Sequence, residues 1–124
     1  MGKFEFRSST LELDIAGNKF EVCVSDPHMQ ERLQAFGNEA ISTANSEDEQ
    51  SSISERFDKA IDLCDRAINE VLGAEASKKI FADRTRDLLD RIDVVAYMTK
   101  EIDAFRSERL RQYSPARAAR AGKK

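Results

Sequence analysis

The chain has 124 residues, 40% hydrophobic and 35% charged, with a formal net charge of −3; this fits one helix-rich domain and excludes both a disordered chain and two independent domains. No apolar run approaches the length of a membrane span, and the opening MGKFEFRSS lacks the apolar core of a signal peptide, so no membrane association and a cytoplasmic location are expected. The charge is uneven: residues 1–105 hold 13 Lys+Arg and 22 Asp+Glu, whereas residues 106–124 hold 7 Lys+Arg and one Glu, a basic end on an acidic body.

The first 25 residues alternate as strands do, with Phe4 and Phe6, then Leu11, Leu13 and Ile15, then Phe20, Val22 and Val24 each pointing to one side. Gly17 and Asn18 suit the positive φ of a tight turn, which predicts a hairpin from about Leu11 to Val24, with the Phe4 segment as a candidate third strand. So small a sheet must lay its apolar face on a helix.

Asp26-Pro27 predicts the start of that helix, because Asp caps and Pro needs no N–H partner in the first turn. Met29, Leu33, Phe36, Ala40, Ile41 and Ala44 form its stripe up to about residue 45, and Gly37 permits a close neighbour. Asn45 to Ser51 holds three consecutive acids and no apolar residue, which reads as an exposed linker.

The most tightly specified segment follows over residues 52–72. Ile53, Phe57, Ala60, Ile61, Cys64, Ala67, Ile68, Val71 and Leu72 recur at helical steps, Ser52 and Glu55 match a capping box, and Gly73 marks the end. A short helical piece carrying Ile80 and Phe81 inward comes next, then a long helix over about 85–112. There Leu88, Ile92, Val95, Thr99 and Ile102 step by four, three, four and three residues, with Leu89, Ala96 and Phe105 widening the seam. Such a seam needs a helical partner, either the central helix of the same chain or a second copy; its shortness favours the former. The expected fold is α+β, mostly α: a hairpin or three-stranded meander on three main helices within residues 1–113, and a disordered basic tail over 114–124.

No catalytic constellation emerges, and neither enzyme activity nor a cofactor is expected. His28 stands in the first turn of a helix with no nucleophile beside it, and Cys23 and Cys64 read as reduced, packed thiols. Asp58, Asp62, Asp65, Asp83, Asp87, Asp90 and Asp93 line helix faces, but Arg66, Arg84, Arg86 and Arg91 are interleaved with them, which reads as a solvated, salt-bridged surface rather than a metal site. The glycines at 2, 17, 37, 73 and 122 are too scattered for a phosphate loop. Arg117, Arg120, Lys123 and Lys124 of the tail, with Arg106, Arg109 and Arg111 before it, could neutralise phosphates; with no aromatic interleaved and an acidic body, docking on an acidic protein is at least as well supported, and nucleic acid is not the favoured partner.

The order hairpin, helix, acidic linker, helix, the element Ser77 to Phe81 (SKKIF) after Gly73, a second long helix and the ending YSPARAARAGKK resembles small tail proteins of siphophages of Gram-positive bacteria. That resemblance implies a tail assembly chaperone, which coats the long helical tape-measure protein until the tail tube forms around it. It is consistent with stoichiometric binding through Leu88, Ile92, Val95, Ile102 and Phe105 and parts of the Met29–Ala44 helix, with self-association left open. It also fits the Gly122-Lys123-Lys124 ending, which a frameshift-prone codon run can encode. The alternatives are a minor structural or connector protein kept in the virion, and a small nucleic-acid-binding regulator using the basic tail.

Overall fold

A computed structural model describes residues 2–47 and 50–113. Part of the acidic linker and the basic tail with Arg117, Arg120, Lys123 and Lys124 lie outside these residues. The hairpin forms as the alternation predicts: β1 (Thr10–Ile15) and β2 (Asn18–Cys23) pair antiparallel, from Thr10 opposite Cys23 to Ile15 opposite Asn18. The turn is only two residues long, Ala16 and Gly17, at φ 54° and 84°, the positive values that match the twist of the flanking strands.

The candidate third strand does not form. Residues 2–9 belong to no strand, and Phe4 and Phe6 are 78% and 91% exposed. The reason is parity. β1 turns its odd-numbered residues Leu13 and Ile15 inward, so a straight continuation would carry Phe4 and Phe6 to the opposite face. Pairing extends only to a bond from Val24 N–H to Ser9 C=O at 2.9 Å.

Helix α1 (Pro27–Ala44) begins where expected, with Asp26 accepting the His28 N–H at 2.9 Å and Pro27 in the first turn. Helix α2 (Ile53–Leu72) is capped by Ser52, which accepts the Glu55 N–H at 3.1 Å, and ends at Gly73. Helix α3 (Ala76–Ile80) turns Ile80 inward, and Phe81 just beyond it is also buried. Helix α4 (Leu88–Tyr113) starts three residues later than the sequence suggests, because the Asp87 carboxylate accepts the Leu89 N–H at 2.8 Å and so fixes the first turn. Among the described residues no helix is long and apolar enough to cross a membrane.

α2 is the centre. Its buried residues Ala60, Ile61, Cys64, Ala67 and Ile68 are covered by α1, α3, α4 and the hairpin. The seam of α4 is rotated from the one expected: Leu88, Arg91, Val95, Met98 and Ile102 are buried, while Ile92 and Thr99 are half-buried. Arg91 corrects the expectation of a wholly solvated charge pattern, since its side chain is only 8% exposed. Its Nε donates to Asp65 Oδ1 of α2 at 2.9 Å, and its guanidinium lies 4.2 Å from the centroid of the Phe81 ring. The Ser77 hydroxyl of α3 donates to the same Asp65 oxygen at 2.5 Å, and the Ser77 N–H donates to Asn69 at 2.8 Å. One carboxylate thus joins α2, α3 and α4.

Truncating one partner of such a pair strands the other charge away from water. Asp65→Ala, which strands the more deeply buried Arg91 guanidinium, is therefore expected to destabilise the fold by about 2–4 kcal/mol, and Arg91→Met, which leaves the more exposed Asp65 carboxylate still bonded to the Ser77 hydroxyl, by less. Urea unfolding of the two variants measures the difference.

Candidate functional site

The first and last helices approach closely at Gly37. A Cβ there would lie 3.1 Å from Val95 Cγ1, so any side chain would press on a buried valine. Beside this contact lies a groove of about 500 Å³ lined by both helices. Its floor is Gly37 and Ile41 from α1 with Ile92, Val95, Ala96 and Thr99 from α4; its rim is Gln30, Gln34, Asn38, Lys100 and Asp103. Ile41 is 41% exposed although it belongs to the apolar stripe of α1. The groove has an apolar floor, polar amide edges and one charge of each sign, a lining suited to the apolar face of another helix.

Of the residues expected to bind a partner, Leu88, Val95 and Ile102 are buried within the chain's own core, and Ile92 and Phe105 are half-buried against it. Ile92 and Val95 present an edge to the groove, whereas Phe105 lines a second hollow of about 330 Å³ at the far end of α4. That hollow is also lined by Ser9, Val24, Ser25, Pro27, Arg106, Arg109, Leu110 and Tyr113. Sequence patterning missed the polar rim of the groove, because Gln30, Gln34 and Asn38 carry no signal that separates a groove edge from ordinary solvated surface. Ile41 was detectable as part of the α1 stripe.

The arginines preceding the tail are engaged in the fold. Arg106 donates to Val24 C=O at 2.9 Å and to Gln30, and Arg109 donates to the Tyr113 hydroxyl at 2.8 Å and to Ser8 C=O. The Arg109 hydrogen bond lowers the Tyr113 hydroxyl pKa below its ordinary value. Arg111 pairs with Glu108 at 2.8 Å. These three side chains tie down the N-terminal segment and their own helix.

His28 is exposed and contacts Glu31 at 3.2 Å. Among the described residues, no group of His, Cys, Asp and Glu is arranged to hold a metal ion. The two cysteines differ. Cys64 is buried on the inner face of α2, and burial, reinforced by the neighbouring Asp65 charge and opposed by Arg91, pushes its pKa up to about 11. Cys23 is exposed, contrary to the packed role expected for it, because Val22 and Val24 on either side turn inward. The Ser25 hydroxyl 3.1 Å from its sulfur lowers its pKa.

A thiol-specific reagent at pH 8 is therefore expected to label one cysteine rapidly and the second only on unfolding, with Cys23→Ser abolishing the fast phase. Raising the pH above the thiol's unfolded pKa of about 8.5 ionises Cys64 in the unfolded chain first, so its contribution to stability is lost between there and its folded value. Cys64→Ala should flatten that alkaline decline, measured by denaturant titration.

No curated protein matches the chain, and no solved structure does. A family model does match, over residues 16–124, which takes in β2, all four helices and both lips of the groove. The chain belongs to DUF6673, a family of unknown function.

Proposed function

We propose that this chain is a phage tail assembly chaperone that holds an amphipathic helix of the tape-measure protein in the α1–α4 groove until the tail tube takes it over. The observation that carries the proposal is the groove itself: an open trough about 500 Å³ in volume, lined by the apolar Ile41, Ile92, Val95 and Ala96 together with the amide and charged groups of Gln30, Gln34, Asn38, Lys100 and Asp103. A helix laid along it buries its apolar stripe against that floor and keeps its polar flanks on the rims. Binding of this kind is stoichiometric, makes and breaks no covalent bond, and takes place in the cytoplasm of the host. The resemblance of the Gly73, Ser77–Phe81 and Tyr113–Lys124 elements to siphophage tail proteins supports the tape-measure protein as the partner, and the groove supports this mode of binding.

Co-expression with the neighbouring tape-measure protein should raise the soluble fraction of that protein, and the pair should copurify. Ile41→Glu combined with Ala96→Glu places two carboxylates on an apolar floor while leaving the buried core untouched. This variant should keep its helical spectrum and lose at least about tenfold in affinity, the effect of ~1.4 kcal/mol. Unchanged solubility of the partner with the unaltered chain, or full affinity in the double variant, contradicts the proposal.

A further inference from the structure

The outer face of the hairpin carries negative charge that the described residues leave unanswered. β1 and β2 turn Leu13, Ile15 and Val22 inward, which sets Thr10, Glu12 and Asp14 of one strand and Lys19, Glu21 and Cys23 of the other to solvent. Glu12 stands directly opposite Glu21. Counting from the Val24 N–H to Ser9 C=O bond, this pair falls at a non-hydrogen-bonded position, where facing side chains come closest, and like charges so placed destabilise a hairpin. Lys19 is opposite Asp14, yet among the described residues none of these four charged groups makes an ion pair, in contrast to Glu70, Asp90 and Glu108, which are each held by an arginine. At the turn end, Asp14 joins Asp93, Val94 and Tyr97 of α4 around a hollow of about 260 Å³, where a cation would meet two carboxylates and an aromatic ring.

We infer that residues 114–124 of the same chain return along this face and neutralise it. The segment is SPARAARAGKK, with Arg117, Arg120, Lys123 and Lys124 and no acid, so its charge complements that of the sheet face. It also starts beside the hairpin. Arg106 donates to Val24 C=O and Arg109 to Ser8 C=O, which holds the open end of the hairpin against the last turns of α4, and the shared hollow places the turn against Asp93, Val94 and Tyr97. The hairpin therefore lies alongside α4, and its acids are on the way back from Tyr113. From Tyr113 to Asp93 the helix rises about 30 Å, and residues 114–124 extend up to about 36 Å, enough to carry the two lysines level with Asp93. Arg117 and Arg120 then come level with Glu12 and Glu21, where a cation offsets the repulsion between the facing carboxylates. A tethered segment meets its own hairpin at an effective concentration on the order of millimolar, which favours it over the hairpin of a second copy. Neither the acids nor the hollow share a residue with the α1–α4 groove, so the inference stands apart from the partner proposed there.

Cys23 lies on this face and is the exposed thiol, so a nitroxide attached there in the full, isotope-labelled chain reports on the segment by nuclear magnetic resonance. On lowering the salt from about 1 M to about 0.01 M the screening length grows from about 3 Å to about 30 Å, and the amide signals of residues 117–124 should lose at least about half their intensity. Glu12→Gln/Glu21→Gln/Asp93→Asn, all at exposed positions, should restore those signals at low salt with an unchanged helical spectrum. An isotope-labelled chain without nitroxide, mixed with a nitroxide-bearing unlabelled chain, should show no loss. Full intensity at low salt, a loss that salt or the triple variant leaves unchanged, or a loss of equal size in the mixture overturns the inference.

Discussion

The apolar stripe of α2 must be covered on more than one side, and the rest of the chain is arranged to do so. Ala60, Cys64 and Ala67 are small, so neighbouring helices can approach closely, while Ile61 and Ile68 fill the spaces between them. Fully burying each large aliphatic side chain contributes roughly 1.5–3 kcal/mol, well beyond what surface ion pairs such as Asp58 and Asp62 with Arg86 supply. At the edge of this stripe sits Asp65, which cannot be left unpaired beside a buried surface. Arg91, Ser77 and the turn of α3 are brought together around it.

That arrangement determines what surface remains for other molecules. Rotating α4 so that Arg91 reaches Asp65 places Leu88, Val95, Met98 and Ile102 in the core. Most of the seam that might have zipped to a partner is thereby consumed internally. What is left is the flank of α4 where Ile92 and Ala96 face Ile41 across the gap beside Gly37, together with the hollow at the C-terminal end of the helix. The first is the trough proposed to receive a helix of another protein; the second is a hollow walled by Val24, Pro27, Phe105, Leu110 and Tyr113. Both are lined by α1 and α4, at different points along the length of α4.

The sequence makes most of the scaffold legible, because its elements are marked at their ends. Asp26-Pro27, Ser52 with Glu55, and Ala16-Gly17 each satisfy a local backbone requirement, and each stands where a boundary is found. The α4 register was harder to read, because a charged residue at an interior position is invisible to hydrophobic periodicity. Only the partner three turns along another helix reveals that Arg91 belongs inside. The exposure of Cys23 and the missing third strand were both readable from the two-residue alternation of the hairpin, once Leu13 and Val22 are taken as inward. The groove was half legible: its floor follows from the apolar stripes of α1 and α4, but a gap between two helices depends on their crossing, which composition does not encode.

The central claim is that a helical partner is received between α1 and α4 without opening the bundle around α2. Amide hydrogen exchange of the free chain and of the chain in complex with the tape-measure protein tests this directly. The expected result is new protection confined to residues 30–41 and 92–103, with exchange in α2 unchanged. Loss of protection in α2, or protection gained only outside those two segments, would contradict it.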